Sequence, residues 1–180
     1  MMQTRQDPLG LLHKMQQEGI ANAPGLPEEV QAKELWSGVG FRVGDIRFVT
    51  PLDHVTEVLL CPDVTHVPRT KSWLKGIANV RGNLLTIVDL AEFFGKQPVF
   101  IDLRSRILVM NIEGLSTGLL VNEVYGLRHF DEEQERQNLA GLDDPAMANT
   151  RGAFLHDNVL WGVFDMHLLA ETPAFRHVAA

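Results

Sequence analysis

The chain has 180 residues, 45% of them hydrophobic and 22% charged, which is the composition of a globular domain large enough to bury a core. Its formal net charge of -7 works against nucleic acid, whose phosphates call for a basic surface. A lone cysteine, Cys61, excludes an internal disulfide, and no apolar run approaches the roughly 20 residues of a membrane-spanning helix.

Residues 1–36 read apart from the rest. Leu9, Leu12 and Met15, with Leu11 beside them, fall at helical spacing and predict a short amphipathic helix. The stretch "NAPGLP", Asn22 to Pro27, breaks it. Pro27, Glu28 and Glu29 suit the first turn of a second helix. The segment is either a loosely attached leader or a helix that docks on the main domain or on a partner. It lacks a basic start followed by a long apolar stretch, so no secretory signal is expected and a cytoplasmic protein is.

From Trp36 the period changes. Val39, Phe41 and Val43 alternate, then Ile46 and Phe48, with Gly44-Asp45 between them, which predicts a β-hairpin. Further strands are expected at Val55–Leu60, Leu84–Val88, Ile107–Ile112, Gly118–Tyr125 and Val159–Phe164. Gly82-Asn83 reads as a tight turn between strands. Short helices are expected only after Asp89 and Asp165, with a third in "DEEQERQNLAG", Asp131 to Gly141. Short strands broken by Gly and Pro indicate small barrels or a sandwich.

The two aspartates belong to an internal repeat. At an offset of 76, Gly76 meets Gly152, Leu84 meets Leu160, Ile87 meets Val163, Val88 meets Phe164, Asp89 meets Asp165 and Leu90 meets Met166. A weaker echo, at an offset of 69, pairs Leu52–Val55 with Val121–Val124. Two half-domains of one plan, forming two small β-barrels around a shared core, account for both.

Enzymatic signals are weak. Asp89 and Asp165 at equivalent points would suit a duplicated carboxylate pair, so an aspartate-dependent hydrolase is the alternative of another class. Capping is the stronger reading: Asp89 starts a helix with Glu92 three residues on, and Asp165 precedes Met166, Leu168 and Leu169 in the same way. His13, His54, His66, His129, His156, His167 and His177 show no metal-ligand spacing, and neither a nucleophile elbow nor a phosphate loop is present. Cys61 reads as a small apolar residue at a strand end. What remains is a surface. Arg69, Lys71, Lys75 and Arg81 interleave with Trp73, Leu74 and Ile77 and suit protein docking. Acidic residues at Asp131–Glu135 and Asp143-Asp144 could meet such a patch head to tail.

At these residues the chain resembles a known family. "GIANVRGNLLTIVDL", Gly76 to Leu90, following Pro68 and Leu74-Lys75, resembles the central signature of CheW-like domains. "TGLLVNEVYGL", Thr117 to Leu127, resembles the second signature, and Phe41–Val58 the opening hairpin with its Val-x-Glu. Together these cover about residues 37 to 170. "WSGVGFRVG" and "KSWLKGIANVRG", with the N-terminal extension, are most similar to the branch serving type IV pilus (twitching) chemosensory systems. Val80, Thr86 and Asn122 depart from the usual Leu, Pro and Asp.

The resemblance implies a mainly β fold of two SH3-like five-stranded barrels sharing a core, with short helices and an N-terminal extension. The expected division is 1–36 extension, 37–172 CheW-like domain and 173–180 tail. It implies no catalysis, no metal and no cofactor. It implies an adaptor that couples the cytoplasmic tips of methyl-accepting chemoreceptors to the CheW-like regulatory domain of a CheA-type histidine kinase. Ring or array assembly and recruitment to membrane-bound receptors go with that role, without direct membrane insertion. A flagellar coupling protein is the alternative in the same class. Carried over residue by residue, the partner-binding positions are Val55, Glu57, Gly76, Asn79, Arg81, Gly82, Gly118, Val121 and Val124.

Overall fold

A computed structural model describes residues 35–112, 114–131, 135–136 and 144–177. The N-terminal helices expected from Leu9–Met15 and from Pro27 lie outside the described residues, as does most of the acidic stretch.

The expected hairpin is there. β1 (Leu35–Val43) and β2 (Ile46–Pro51) pair antiparallel, and Val43 opposite Ile46 closes the Gly44-Asp45 turn. A 3-10 turn (Leu52–His54) leads to β3 (Glu57–Leu59). Next come β4 (Leu74–Val80), β5 (Asn83–Asp89) and α1 (Leu90–Phe93). β6 (Arg106–Ile112), β7 (Leu115–Val121), β8 (Glu123–Asp131) and the two-residue β9 (Glu135–Arg136) follow. A 3-10 turn (Pro145–Asn149), β10 (Thr150–His156), β11 (Val159–Phe164), α2 (Met166–Glu171) and α3 (Pro173–Arg176) complete the order.

Four local expectations change. The single strand read at Gly118–Tyr125 is two strands in different sheets. Asn122 separates them: its backbone N–H donates to Arg42 and its side-chain oxygen accepts from the Gly44 N–H at 2.7 Å, turning the chain from one sheet to the other. β4 and β10 had escaped the strand reading because a bulge interrupts the alternation of each, between Leu74 and Gly76 and between Thr150 and Gly152. The turn placed at Gly82-Asn83 sits one residue earlier. Val80 pairs with Asn83, leaving Arg81 (φ 51) and Gly82 (φ 89) as the central residues of a turn with two positive φ angles. Finally, Glu135–Arg136 of the third expected helix are strand.

The sheets run β3-β6-β7-β5-β4 and β8-β1-β2-β11-β10-β9, five strands each apart from the short β9 on one edge. The fold is mainly β, as expected. The first sheet curls shut where Thr65, after β3, exchanges both backbone hydrogen bonds with Ile77 on β4. In the second, Phe130 of β8 stacks on Phe154 of β10 at 4.8 Å, although several strands separate them in the order. Phe41, Phe48 and Phe164 of the second sheet form one buried cluster with Val88, Leu108, Met110 and Leu119 of the first. This is the shared core.

The repeat is structural. The bulges at Leu74/Gly76 and Thr150/Gly152 fall at the offset of 76. So do the positive-φ turns Arg81-Gly82 and Asp157-Asn158 and the bonds Asp89 N–H to Trp73 and Asp165 N–H to Asn149. The offset of 69 carries β1–β3 onto β6–β8: Val39 opposite Leu127 corresponds to Leu108 opposite Val58. The halves are interleaved. Each five-stranded set takes a hairpin from one half and three strands from the other.

Both expected caps are present. Asp89, fully buried, accepts from the Glu92 N–H at 3.1 Å and also from the Val99 N–H at 2.9 Å. Asp165 accepts from the His167 and Leu168 N–H groups at 2.8 and 3.2 Å. The residues expected to begin a tail, from Pro173, are anchored instead. Buried Phe175 packs on Phe93 at 5.4 Å and on Trp73 at 6.2 Å. Apolar burial of that size holds a chain end in place.

Candidate functional site

β3 and β4 are the two edges of the first sheet, so the seam of that barrel lies between them. Five of the nine candidate residues build this seam. Gly76 (φ 142) lets Thr65 lie against β4: an added Cβ would come within 2.1 Å of the Thr65 carbonyl oxygen, closer than any side chain tolerates. Asn79 accepts from the Gly82 N–H at 2.9 Å and ties down the β4–β5 turn. Gly82 takes the second positive φ, with open space around it. Arg81 is thereby projected from the turn with 75% of its side chain exposed, and its guanidinium meets the Glu57 carboxylate of β3 at 2.8 Å. The ion pair bridges the seam beside the Thr65–Ile77 exchange.

Val55 is half-buried and packs on the core two residues before Glu57. The remaining three candidates sit elsewhere. Gly118 is inside the first barrel, where an added Cβ would meet Ile107 at 2.5 Å and Ile87 at 2.9 Å. Val121 is fully buried, and Val124, half-buried, packs against the shared core. Gly76 and Val121 therefore support a surface from beneath, and Gly118 does not form part of it. The exposed members are Asn79, Arg81 and Gly82, with Glu57, Val55 and Val124 half-buried.

Leu84, the first apolar residue of the strand expected at Leu84–Val88, is 70% exposed, next to the Arg81 turn and opposite Asn79. Leu85 and Ile87 point inward, so strict alternation sends Leu84 and Thr86 outward. With Ile77 it adds an apolar flank to the Arg81–Glu57 pair, and alternation counted from Ile87 was the signal that could have found it.

The basic and aromatic run is partly consumed by the fold. Lys75 bonds Glu92 and stands 3.6 Å from Asp89. Burial alone would raise the Glu92 carboxyl, but its bonds to Lys75 and Ser72 outweigh that and hold it below the usual range. Leu74 is buried, and Trp73 packs on Phe93 and Phe175. Arg69, Lys71, Ile77 and Arg81 stay exposed. Arg151, the repeat counterpart of Lys75, pairs with Asp165 in the same way.

Asp89 and Asp165 thus spend their oxygens on separate helix starts and separate cations. Catalytic carboxylates would have to converge. Cys61 lines an apolar cavity of about 280 Å³ at one end of the first barrel with Val64, Ile87, Val99 and Ile107, and burial pushes its thiol pKa up, as suits a strand-end apolar residue. Among the described residues no group of three His, Cys, Asp or Glu side chains is placed to hold a metal, and no helix is long and apolar enough to cross a membrane.

Comparison with known proteins follows the same lines. The family model described as CheW-like domain matches residues 37–174. Protein PilI of Pseudomonas aeruginosa is 39% identical over 174 residues, spanning 97% of each chain. Protein FrzA of Myxococcus xanthus is 35% identical over 108 residues, 60% of this chain and 68% of that protein. The crystal structure of the scaffolding protein TtCheW from Thermoanaerobacter tengcongensis superposes with a TM-score of 0.67 at 25% identity, covering 77% of this chain and 94% of that one.

Proposed function

This chain belongs to the CheW-like domain family, and on that premise we propose that it is a non-enzymatic adaptor coupling methyl-accepting chemoreceptors to a CheA-type histidine kinase in a pathway controlling type IV pilus twitching motility. The observation that carries the reading is the similarity to PilI along 97% of both chains, extension included. Relatives named simply for chemotaxis match shorter parts of the chain, 74% in the Thermotoga maritima protein CheW. That difference favours the pilus pathway over a flagellar one.

The seam of the first barrel is the proposed contact surface. Arg81 offers a planar cation at the tip of a rigid turn, Glu57 an anion beside it, and Ile77 and Leu84 apolar flanks. Such a mixed patch suits a protein surface. Gly76, Asn79 and Gly82 set its shape. Val121, Val55 and Val124 pack in the core that supports it, and Gly118 fills the first barrel without bearing on the contact. The domain runs from β1 at Leu35, two residues before the boundary expected from the sequence, and the residues before it form the N-terminal extension. The protein works in the cytoplasm, recruited to receptor arrays.

The test is affinity capture of the tagged full-length chain from its native cells. Recovery of a chemoreceptor and a CheA-type kinase together supports the reading, and recovery of neither sinks it. Deletion of the gene should impair twitching and leave swimming intact. The opposite pattern would transfer the protein to a flagellar pathway.

A further inference from the structure

The second barrel carries a cluster that its twin lacks. Arg47 of β2 and Arg128 of β8 place their guanidinium carbons over the same two rings: 5.5 and 5.8 Å from the Tyr125 centroid, 5.6 and 5.9 Å from that of Trp161. The rings meet edge to face at 5.5 Å. Gly40 makes room for the arrangement, since an added Cβ there would come within 2.9 Å of Arg128 Cγ and 3.0 Å of the Trp161 ring. Arg42 pairs with Glu123, Arg81 with Glu57, Arg104 with Asp102 and Arg151 with Asp165, whereas Arg47 and Arg128 have no carboxylate partner among the described residues.

The duplication supplies an internal control. At the corresponding places of the first barrel stand Ser116 for Arg47, Leu59 for Arg128, Thr56 for Tyr125, Leu85 for Trp161 and Val109 for Gly40. One barrel plan closes without a cation or an aromatic ring at any of them, so the fold does not require the cluster. Two arginines gathered over the same pair of rings with no carboxylate partner among the described residues are unusual in a chain of net charge -7. A guanidinium held by cation–π attraction to a ring needs no carboxylate for that contact, and its N–H groups can bind oxygen anions.

We propose that Arg47 and Arg128, held over Tyr125 and Trp161, form a docking site for paired carboxylates in an acidic segment of a protein partner. Charge complementarity selects that occupant. The chain's negative field opposes nucleic acids and anionic membranes at long range, while a short acidic segment on a compact partner meets the two cations locally. The site is separate from the Arg81 seam and does not depend on the coupling role.

The experiment uses the full chain and a fluorescein-labelled decapeptide of alternating Glu and Ala, with the Gln-for-Glu peptide as control, read by anisotropy. The acidic peptide should bind, the Gln peptide should bind at least tenfold more weakly, and raising salt should weaken the former. Arg47→Gln with Arg128→Gln should cost at least tenfold while the melting temperature stays in place. Arg47→Lys with Arg128→Lys, which keeps charge and fold, should lose most of that affinity, because an ammonium has no planar fork. Equal binding by wild type and either double variant, or by both peptides, would overturn the proposal. So would displacement of the peptide by inorganic phosphate at matching concentration, which would mark a site for small free anions.

Discussion

Arg81 and Glu57 meet at 2.8 Å across the seam of the first barrel, joining the β4–β5 turn to the opposite edge strand. Both were candidate partner-binding residues on sequence grounds, and the structure makes them each other's partner. An ion pair this exposed contributes about 0.2–1 kcal/mol to folding. Arg81→Glu should therefore shift stability by no more than about that, while it abolishes co-sedimentation with receptor and kinase. The exchange Arg81→Glu with Glu57→Arg separates two explanations. If the swapped pair restores assembly, the bridge itself matters. If assembly stays lost with a normal melt, a partner reads the guanidinium directly. Normal assembly by Arg81→Glu alone would remove the seam from the binding surface.

Asp89→Ala should be the costlier of the two cap substitutions. Asp89 is fully buried, and its loss strands both the Glu92 N–H and the interior Val99 N–H. A lost cap plus an unsatisfied buried donor costs about 2–4 kcal/mol. Asp165→Ala should cost about 1–2 kcal/mol, because its partner Arg151 remains largely in solvent. Urea unfolding of the two variants compares them directly. Equal losses would mean that the Val99 bond adds nothing.

Gly118→Ala tests packing against contact. The new methyl meets Ile107, Ile87 and Leu85 side chains inside the barrel, all of them buried. A destabilisation of about 1–3 kcal/mol is expected, with partner affinity unchanged at a temperature where the variant is folded. Weakened binding by a fully stable variant would place Gly118 at the surface after all.

His54 gives the fold a sensitivity to mild acid. Its ring meets that of His167 edge-on at 4.6 Å. Burial lowers its pKa below 6.5, with His167 and Arg151 acting in the same direction and Asp165 and Asp53 opposing. The unfolded chain therefore takes up a proton near pH 6.5 that the native chain resists. This group's stabilisation is full above 6.5 and is lost as pH falls from there to the lower native value. His54→Gln should flatten that slope in denaturant titrations between pH 7 and 5. An unchanged slope would assign the loss to another group.

The duplication was legible because Gly76/Gly152 and Asp89/Asp165 are required by backbone geometry, a bulge and a cap, which admit few residue types. The first hairpin was legible through the alternation of Val39 to Phe48 around Gly44-Asp45. β4 and β10 were not, since each bulge resets the side-chain phase partway along the strand. Nor was the division at Asn122, where apolar residues continue on both sides and only a tertiary hydrogen bond to Gly44 breaks the strand. The site shows the same split. Arg81 and Glu57 stand out as residue types in a motif, but their contact comes from barrel closure, which joins residues distant in sequence. Leu84 was not among the candidates because an apolar residue on the outward face of a strand looks like core until its neighbours are oriented.

The interleaved halves impose an order on synthesis. β3, β4 and β5 are made first, yet they do not adjoin one another as a finished sheet: β6 and β7 must be inserted between β3 and β5. Until Val121 has emerged, the parallel edge of β5 that β7 will occupy stays open, and so does the face of Ile87 and Val88. The second barrel has the reverse problem, since β1 and β2 wait for β10 and β11 near the end of the chain. Contacts this distant in sequence slow folding and leave strand edges unpaired during translation. The nascent chain is therefore most exposed to aggregation while the last third of the protein is being made, and substitutions that speed local hairpin formation should raise soluble yield more than they raise the stability of the finished molecule.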